Sequence, residues 1–441
     1  MKKLLAMSLA VAMLLSFAAC GTPSSDSGTK AAATEGNSAT TEVPAVKDVH
    51  MEAVFGMSNW AEKMPELVGM YIAKNPQIKS IDWTLVASKD IPDILKSRLA
   101  ANNLPDFMTG YSGPQLERWE PYLLPLEDME VLNVIDGAML TPGQLKGHQF
   151  VLPTCVEGFG ILYNMNYLKK VGYDHTPKTW TELVDLCEKL DAAGIRPFEN
   201  HYKEAVTTLT SHYGLLAATV KDDPMAYVRK LQAGEITDMA SDSDWNRVVD
   251  FYDLTMRYGN ENAIVTDSET ARGNFFLEKS AMVTDEGSTL LNRLRSYNPA
   301  MEDHCAQSYV PLFDDEKRNK ITINPIFISI TNTCKYPGEA KKFLTWFISD
   351  QEALDFTMKT WQNMPAVSNA KLDMDILGPL MRDTYNLIQA GAGSANLQRQ
   401  FPDEIITDNG SLWQQYLTGM IDRQKLLTEL NQLWINYAKG K

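Results

Sequence analysis

The first part of the body alternates short apolar runs with a segment of helical spacing. Val49–Phe55 and residues 81–86 are short, mostly apolar stretches, which predicts two strands. Residues 62–74 lie between them and place apolar side chains three and four positions apart, which predicts a helix. A strand, a helix and a second strand in this order predict a β-α-β unit and a parallel sheet.

The same alternation continues along the chain. Residues 91–103 have helical spacing, and residues 106–108 predict a short buried strand. Further strands are predicted over residues 150–152, 161–163, 281–284, 307–312, 321–323 and 326–330. Further helices are predicted over residues 179–193, 203–220, 242–258, 337–348, 351–360 and 411–438, the first of them with Thr179 as N-cap, Glu182 as its capping-box partner and Gly194 past its end. The fold class is therefore α/β, in which ligands bind beyond the carboxyl ends of strands.

The amino terminus has a different pattern. Lys2 and Lys3 precede an apolar run that ends in small residues, which predicts a secretory signal peptide over residues 1–19. The run is shorter than the ~20 residues that a membrane-spanning helix needs. Residues 21–47 contain no aromatic residue and predict a flexible linker, whose ends would lie roughly 26 to 31 Å apart.

Composition excludes several function classes. The chain has 41 Lys and Arg against 56 Asp and Glu, a net charge of -15, so we expect no nucleic-acid partner. With five Cys and six His and no C-x-x-C or H-x-x-x-H pair, we expect no metal site and no cofactor. Cys155, Cys187, Cys305 and Cys334 are expected to be reduced, although an exported protein also permits a disulfide among them.

Seven segments, taken in order, carry a family pattern. They are residues 104–107 (LPDF), 124–128 (LPLED), 147–153 (GHQFVLP), 160–164 (GILYN), 177–183 (PKTWTEL), 276–282 (FLEKSAM) and 337–344 (PGEAKKFL). Their order and spacing resemble the extracellular solute-binding protein family 1, the sugar-binding lipoprotein components of bacterial ABC importers. Residues 17–20 (FAAC) likewise resemble a bacterial lipobox, with Phe17 where Leu is usual, which implies cleavage before Cys20 and lipidation of its thiol.

The resemblance implies a two-lobed, type II periplasmic-binding-protein-like fold, with discontinuous lobes joined by a hinge and a ligand in the cleft. The implied limits are residues 20–47 for the lipid anchor and linker, 48–156 plus 308–335 for the first lobe, and 157–307 plus 336–441 for the second. The implied partners are a carbohydrate, the transmembrane subunits of an ABC permease and the membrane reached through the lipid anchor. We expect a monomer on the extracytoplasmic face, and no catalytic residue.

Candidate ligand contacts are aromatic planes, carboxylates and amides, because sugars offer apolar ring faces and many hydroxyl groups. Asn59 and Trp60 follow the first predicted strand, and Tyr111 and Ser112 follow the strand that ends near residue 108. Packing at a helix start is an equal alternative for the first pair.

Two further groups lie in the middle of the chain. Glu157 and Phe159 lie at the first crossover that the family resemblance implies. Between the extended residues 195–198 and a predicted helix lies a polar and aromatic cluster that is the strongest candidate, Glu199, Asn200, His201 and Tyr202.

The last candidates lie nearer the carboxyl terminus. Asp285 and Glu286 follow a predicted strand, and Ser288 stands where relatives often have a stacking Trp. Trp361 and Asn363 precede a loop that often carries an aromatic residue to the ligand in relatives, with packing again an equal alternative for Trp361.

Two other function classes remain open from the sequence. A lipid-anchored glycoside hydrolase would need two carboxylates about 5–5.5 Å or about 6.5–9.5 Å apart, and Glu157 and Glu286 are the first pair to consider. The third class is a binder of a non-sugar polar solute, or a sensor that passes its ligand signal to a receptor.

Overall fold

The computed structural model describes residues 48–203, 221, 223–285, 287, 290–397 and 400–440. The predicted signal peptide, Cys20, the linker, nearly all of the helix predicted over residues 203–220, Glu286 and Ser288 lie outside the described residues.

The described elements alternate as an α/β fold, and their bounds follow. The strands are β1 Val49–Phe55, β2 Ile78–Leu85, β3 Phe107–Thr109, β4 Gln144–Leu145, β5 His148–Gln149, β6 Leu152–Asn164, β7 Met282–Asp285, β8 Cys305–Ser308, β9 Ile321–Ile330 and β10 Gly393–Ala395. The earlier helices are α1 Met64–Lys74, α2 Ile91–Ala100, α3 Gly113–Trp119, α4 Gly137–Leu140, α5 Met165–Lys170, α6 Trp180–Ala192, α7 Pro224–Gln232 and α8 Ser243–Arg257. The later helices are α9 Ser268–Phe276, α10 Leu291–Tyr297, α11 Pro337–Ser349, α12 Gln351–Trp361, α13 Met374–Gln389, α14 Asp403–Leu417 and α15 Arg423–Gly440.

The main sheet joins the strands in the order β2-β1-β3-β9-β6-β7, with β10 on β9 and β8 on β6. β1 is parallel to both β2 and β3, which confirms the predicted β-α-β opening. β9 is antiparallel to β3 and to β6. Parallel neighbours need a helical crossover, and α1 and α2 supply it here.

One strand links two parts of the sheet. Along β6, Leu152 to Phe159 pair with β9, whereas Gly160 to Tyr163 pair with β7. Residues 161–164 also pair with β8 on the other edge of β6. All thirteen residues of β6 are buried, and this strand connects the two groups of strands. We call β6 the bridging strand and residues 156–160, where its pairing changes from β9 to β7, the bridging residues.

Two large apolar clusters pack on either side of this bridge. The first core combines β1, β2 and α1 with α11 and α12. The second core combines the later half of β6 with α6, α8, α14 and α15. The helices at residues 337–361 thus pack with the first strands, although they follow the predicted lobe limit at residue 336; the lobe limits themselves stay a prediction.

Helix α13 contacts both sides. It is kinked at Gly378 and Pro379, because proline removes one helical hydrogen bond. Leu377 and Met381 belong to the first core. Leu380 instead packs with Leu162 and its neighbours on β7 and α10.

The predicted helix cap is present. Thr179 caps α6 by accepting a hydrogen bond from the backbone N–H of Glu182 at 3.2 Å. The Glu182 carboxylate accepts from the Lys178 N–H at 2.7 Å, one residue before the position that a capping box uses. Gly194 follows the helix with a left-handed φ of 71°, as its role past the helix end requires.

The four described cysteines are free thiols, three of them buried and Cys334 partly so. None of the helices in the described part of the chain combines the length and apolar character that a bilayer crossing demands.

Candidate ligand-binding site

The residues after β1 are packed inside the first core. Asn59 and Trp60 form a short 3-10 turn, in which Asn59 is exposed and Trp60 is fully buried. The Trp60 ring stacks on Trp361 with centroids 4.6 Å apart and planes 10° apart, and it also contacts Phe55 at 5.5 Å. This stack joins two candidate site residues to each other and leaves Trp60 in the interior.

The loop after α12 approaches the bridging strand. Gln362 ends the helix in the left-handed conformation, and the backbone N–H of Val156 donates to the Met364 carbonyl at 2.9 Å. Asn363 is therefore held next to residues 156 and 157, with 6% of its surface exposed.

Tyr111 and Ser112 lie beyond the end of β3. The Gly110 N–H donates to the Phe327 carbonyl at 2.7 Å, which fixes this turn against β9. Tyr111 stacks on Trp119 with centroids 6.2 Å apart and planes 10° apart. Ser112 is buried, and its hydroxyl has no hydrogen-bond partner among the described residues.

Glu157 and Phe159 occupy the bridging part of β6. The Asn324 side-chain amide donates to Glu157 Oε2 at 2.8 Å, which orients the carboxylate across the pair of strands. Burial, followed by the nearby Glu157 carboxylate, raises the pKa of the Cys155 thiol well above its usual range. Phe159 lies opposite Thr322 and packs into the second core.

The segment at residues 198–202 runs alongside β7. Phe198 forms a parallel bridge with Met282, and the Glu199 N–H donates to the Met282 carbonyl at 2.9 Å. His201 Nε2 lies 3.0 Å from the Thr284 carbonyl, so Nε2 carries the proton and donates. Its Nδ1 is buried and has no hydrogen-bond partner among the described residues.

The other three side chains of this segment bind partners that all lie between residues 196 and 274. Glu199 accepts from Arg196 Nη1 at 2.9 Å and from Asn274 Nδ2 at 2.7 Å. Asn200 donates to the Thr255 carbonyl at 2.7 Å, and its N–H donates to Asn260 Oδ1 at 2.6 Å.

Tyr202 completes this interior network. Its hydroxyl lies 2.7 Å from the Thr255 hydroxyl, and burial raises the pKa of Tyr202 well above its usual range. The neutral phenol is therefore a fixed part of the packing.

Asp285 ends β7 directly opposite Gly160 of β6. Arg272 binds its carboxylate in a bidentate pair, with Nε 2.6 Å from Oδ2 and Nη2 2.8 Å from Oδ1. Asp285 is only 3% exposed, and a buried carboxylate needs this kind of paired donor. Glu286, the second carboxylate of the hydrolase alternative, lies outside the described residues.

The strand registers show which candidates share one region. Glu157, Phe159, His201, Asp285 and Asn363 all lie on or beside the bridging residues of β6; we call these five the crossover group. Tyr111 lies outside this group. It follows Gly110, whose N–H binds the Phe327 carbonyl, and Phe327 pairs with Pro153, four residues before Glu157 on β6.

Sequence reasoning missed the residues that orient this group. Asn324 holds Glu157, and Arg272 holds Asp285. Asn324 and Pro325 interrupt the apolar run of β9, a visible signal for a special position. Arg272 lies in an ordinary helix, and no local pattern distinguishes it.

Comparisons with known proteins agree with this architecture. Residues 58–354 match the family model described as bacterial extracellular solute-binding protein. No significant sequence match appears among curated proteins.

Three solved structures illustrate the fold. RafE, a solute-binding protein solved in complex with raffinose, superimposes with a TM-score of 0.72 at 19% identity, over 88% of this chain and 100% of its own. A chitin oligosaccharide binding protein gives 0.73 at 17% identity, over 89% and 100%. A sugar transporter protein from Bacillus licheniformis, solved with stachyose, gives 0.68 at 16% identity, over 88% and 100%.

The shared fold is that of the type II solute-binding proteins, which confirms the predicted α/β class. The family match covers well over half of the chain, from the turn after β1 to the early part of α12. The chain therefore belongs to the bacterial extracellular solute-binding protein family.

Proposed function

We propose that this protein is the substrate-binding lipoprotein of an ABC importer, which captures a mono- or oligosaccharide between two lobes and delivers it to a membrane permease. The observation that carries the proposal is the crossover group, whose carboxylates, amide, imidazole and phenyl ring lie on or beside the part of β6 that links the two cores. A ligand bound at this strand contacts both halves, so it stabilises their closed arrangement.

The chemistry of the crossover group suits a polyhydroxylated ligand. Sugar hydroxyls donate to carboxylates and accept from amides. Asn324 and Arg272 hold Glu157 and Asp285 in fixed orientations, so less entropy is lost when a ligand binds. The raffinose in the RafE structure, the stachyose in the Bacillus licheniformis structure and the name of the chitin oligosaccharide binding protein support the same ligand class.

The lipid anchor and linker in this proposal are supported by the sequence patterns at residues 17–20 and 21–47. Lipidated Cys20 would hold the protein on the extracytoplasmic face, and the linker would let the loaded body reach the permease. Cys20→Ser should move the protein from the membrane fraction to the soluble exported fraction.

A thermal-shift panel tests the ligand class. It contains glucose, galactose, raffinose, stachyose and chitobiose, with amino acids and dipeptides as non-sugar solutes. A sugar at one hundred times its dissociation constant adds about 2.7 kcal/mol and should raise Tm by about 3 °C for a body of this size. Stabilisation by a non-sugar solute alone would overturn the carbohydrate assignment, and release of reducing ends from an oligosaccharide would favour the hydrolase.

A further inference from the structure

Gln307 is a buried polar residue on β8, outside the crossover group. Only 3% of its surface is exposed, and its side chain lies between the bridging part of β6 and helix α13. A long amide is costly to bury unless both of its ends are hydrogen-bonded. Both ends of Gln307 are used.

The amide joins two elements that are far apart in sequence. Gln307 Nε2 donates to the Gly158 carbonyl at 2.7 Å, and its Oε1 accepts from the Thr384 hydroxyl at 3.0 Å. The Gln307 backbone N–H also donates to Asp383 Oδ2 at 3.0 Å. β8 is thereby fastened to β6 on one side and to α13 on the other.

Two glycines make this contact close. A Cβ on Gly158 would lie 2.4 Å from Thr384 Cγ2, and a Cβ on Gly287 would lie 2.5 Å from Gln307 Oε1. A Cβ at either position would displace the Thr384 or Gln307 side chain. Three parts of the chain therefore converge on one amide: Gly158 on β6, Gly287 after β7 and Thr384 in the second half of α13.

The location of these glycines connects the amide to the site. Gly158 lies between Glu157 and Phe159, and Gly287 lies two residues beyond Asp285. We propose that Gln307, together with Thr384, is a positioning residue that fixes the backbone on which Glu157, Phe159 and Asp285 meet the ligand. This inference rests on the proposed function, because it concerns the same site.

Three isosteric or matched variants test it. Gln307→Met keeps the length of the side chain and removes both hydrogen bonds, and Thr384→Val removes only the hydroxyl. Thr384→Ser retains the hydroxyl and removes the methyl group. Asn431→Leu is the control, because Asn431 is an equally buried amide that binds the Met239 N–H at 2.8 Å and the Ile236 carbonyl at 2.7 Å within the second core.

Affinity for raffinose and stachyose is measured by calorimetry. We expect Gln307→Met and Thr384→Val to weaken binding about 10-fold, and Thr384→Ser to stay within about 3-fold of the wild type. Asn431→Leu should lower Tm and leave affinity within about 2-fold. Equal affinities in Gln307→Met and the wild type, or an equal loss in Asn431→Leu, would overturn the proposal.

Amide hydrogen exchange separates this proposal from the proposed function. Without any sugar, Gln307→Met should speed exchange of residues 156–160 and 282–285 relative to residues 49–55, and Asn431→Leu should not. Faster local exchange in a protein that only a non-sugar solute of the panel stabilises would keep the positioning role and reject the carbohydrate assignment. Unchanged local exchange would reject the positioning role whatever ligand binds.

Discussion

Two groups of candidate residues look alike in sequence and differ in the structure. The segment at residues 199–202 and the bridging residues 157–159 each combine a carboxylate with an aromatic ring. In the first, Glu199, Asn200 and Tyr202 bind Arg196 and Thr255, beside the second core. In the second, Glu157 binds Asn324 across two strands that the two halves of the molecule share.

The comparison teaches that a polar cluster after a strand has two uses. Such residues can form hydrogen bonds with the buried backbone near their own core, as Asn200 does. They can instead lie where a strand links the two cores. Only the hydrogen-bond partners distinguish these two uses, and the partners are distant in sequence. The partner of Tyr202 lies 53 positions away, and the partner of Glu157 lies 167 positions away. Trp60 and Trp361 behave like the first kind, because each ring packs on the other.

The largest expected effect comes from the interior stack. Trp60→Ala should lower the free energy of unfolding by about 3–5 kcal/mol, because it leaves a large cavity beside Trp361. Urea unfolding measures the loss, and Trp60→Phe, which keeps a ring in place, should lose less than half as much. A stability change below about 1 kcal/mol with a clear loss of sugar affinity would instead make Trp60 a ligand platform.

A substitution on the bridging strand should affect sugar affinity more than stability, the opposite of Trp60→Ala. Glu157→Gln keeps the shape of the side chain and replaces a charged acceptor by a neutral one. Sugar affinity should fall about 10- to 100-fold, while the free energy of unfolding changes by less than about 1 kcal/mol. Calorimetric titration and urea unfolding of one preparation measure both, with Glu127→Gln as an exposed control. A stability loss without an affinity change would place Glu157 with the interior residues.

Local patterns predicted most of the elements. β1 has the predicted limits, and Thr179 caps its helix. The strand β6 begins at Leu152, the last residue of the piece predicted at 150–152, and runs through the whole piece predicted at 161–163. The polar residues between the two pieces are buried in strand pairs.

The regions near β9 and the carboxyl terminus show why some limits were missed. β9 is continuous through Pro325, where β3 and β10 pair with residues on either side of the proline but not with the proline itself. The single helix predicted over residues 411–438 is two helices, which separate at Gly419 with a φ of 74°.

The candidate site was predicted only in part, for a physical reason. The sequence places Glu157, His201 and Asp285 after or within strands, and strand register brings them together. It carries no local sign of Gln307 or Arg272, whose importance arises from contacts across the fold. Hydrogen bonds between distant segments are set by packing, which periodicity does not encode.

The smallest expected effect is a pH dependence next to Gln307. Burial raises the pKa of Asp383 to about 6, although the hydrogen bond from the Gln307 N–H and the positive charge of Arg382 each lower it in part. The folded protein therefore holds this proton more tightly than the unfolded chain, so Asp383 contributes a stability that is complete below pH ~4 and is lost as the pH rises through about 6.

Asp383→Asn removes this titration and keeps a side-chain oxygen that can accept from the Gln307 N–H. Relative to the wild type, the variant should gain about 1–2 kcal/mol between pH 4.5 and pH 7.5, a value reduced for partial exposure. Urea unfolding at four pH values measures the difference in unfolding free energy between the variant and the wild type. The other carboxylates are common to both proteins, so their titration cancels in this difference. A constant difference across this range would mean that Asp383 ionises like an exposed carboxyl, and β8 would then be fastened to α13 without any cost from a buried charge.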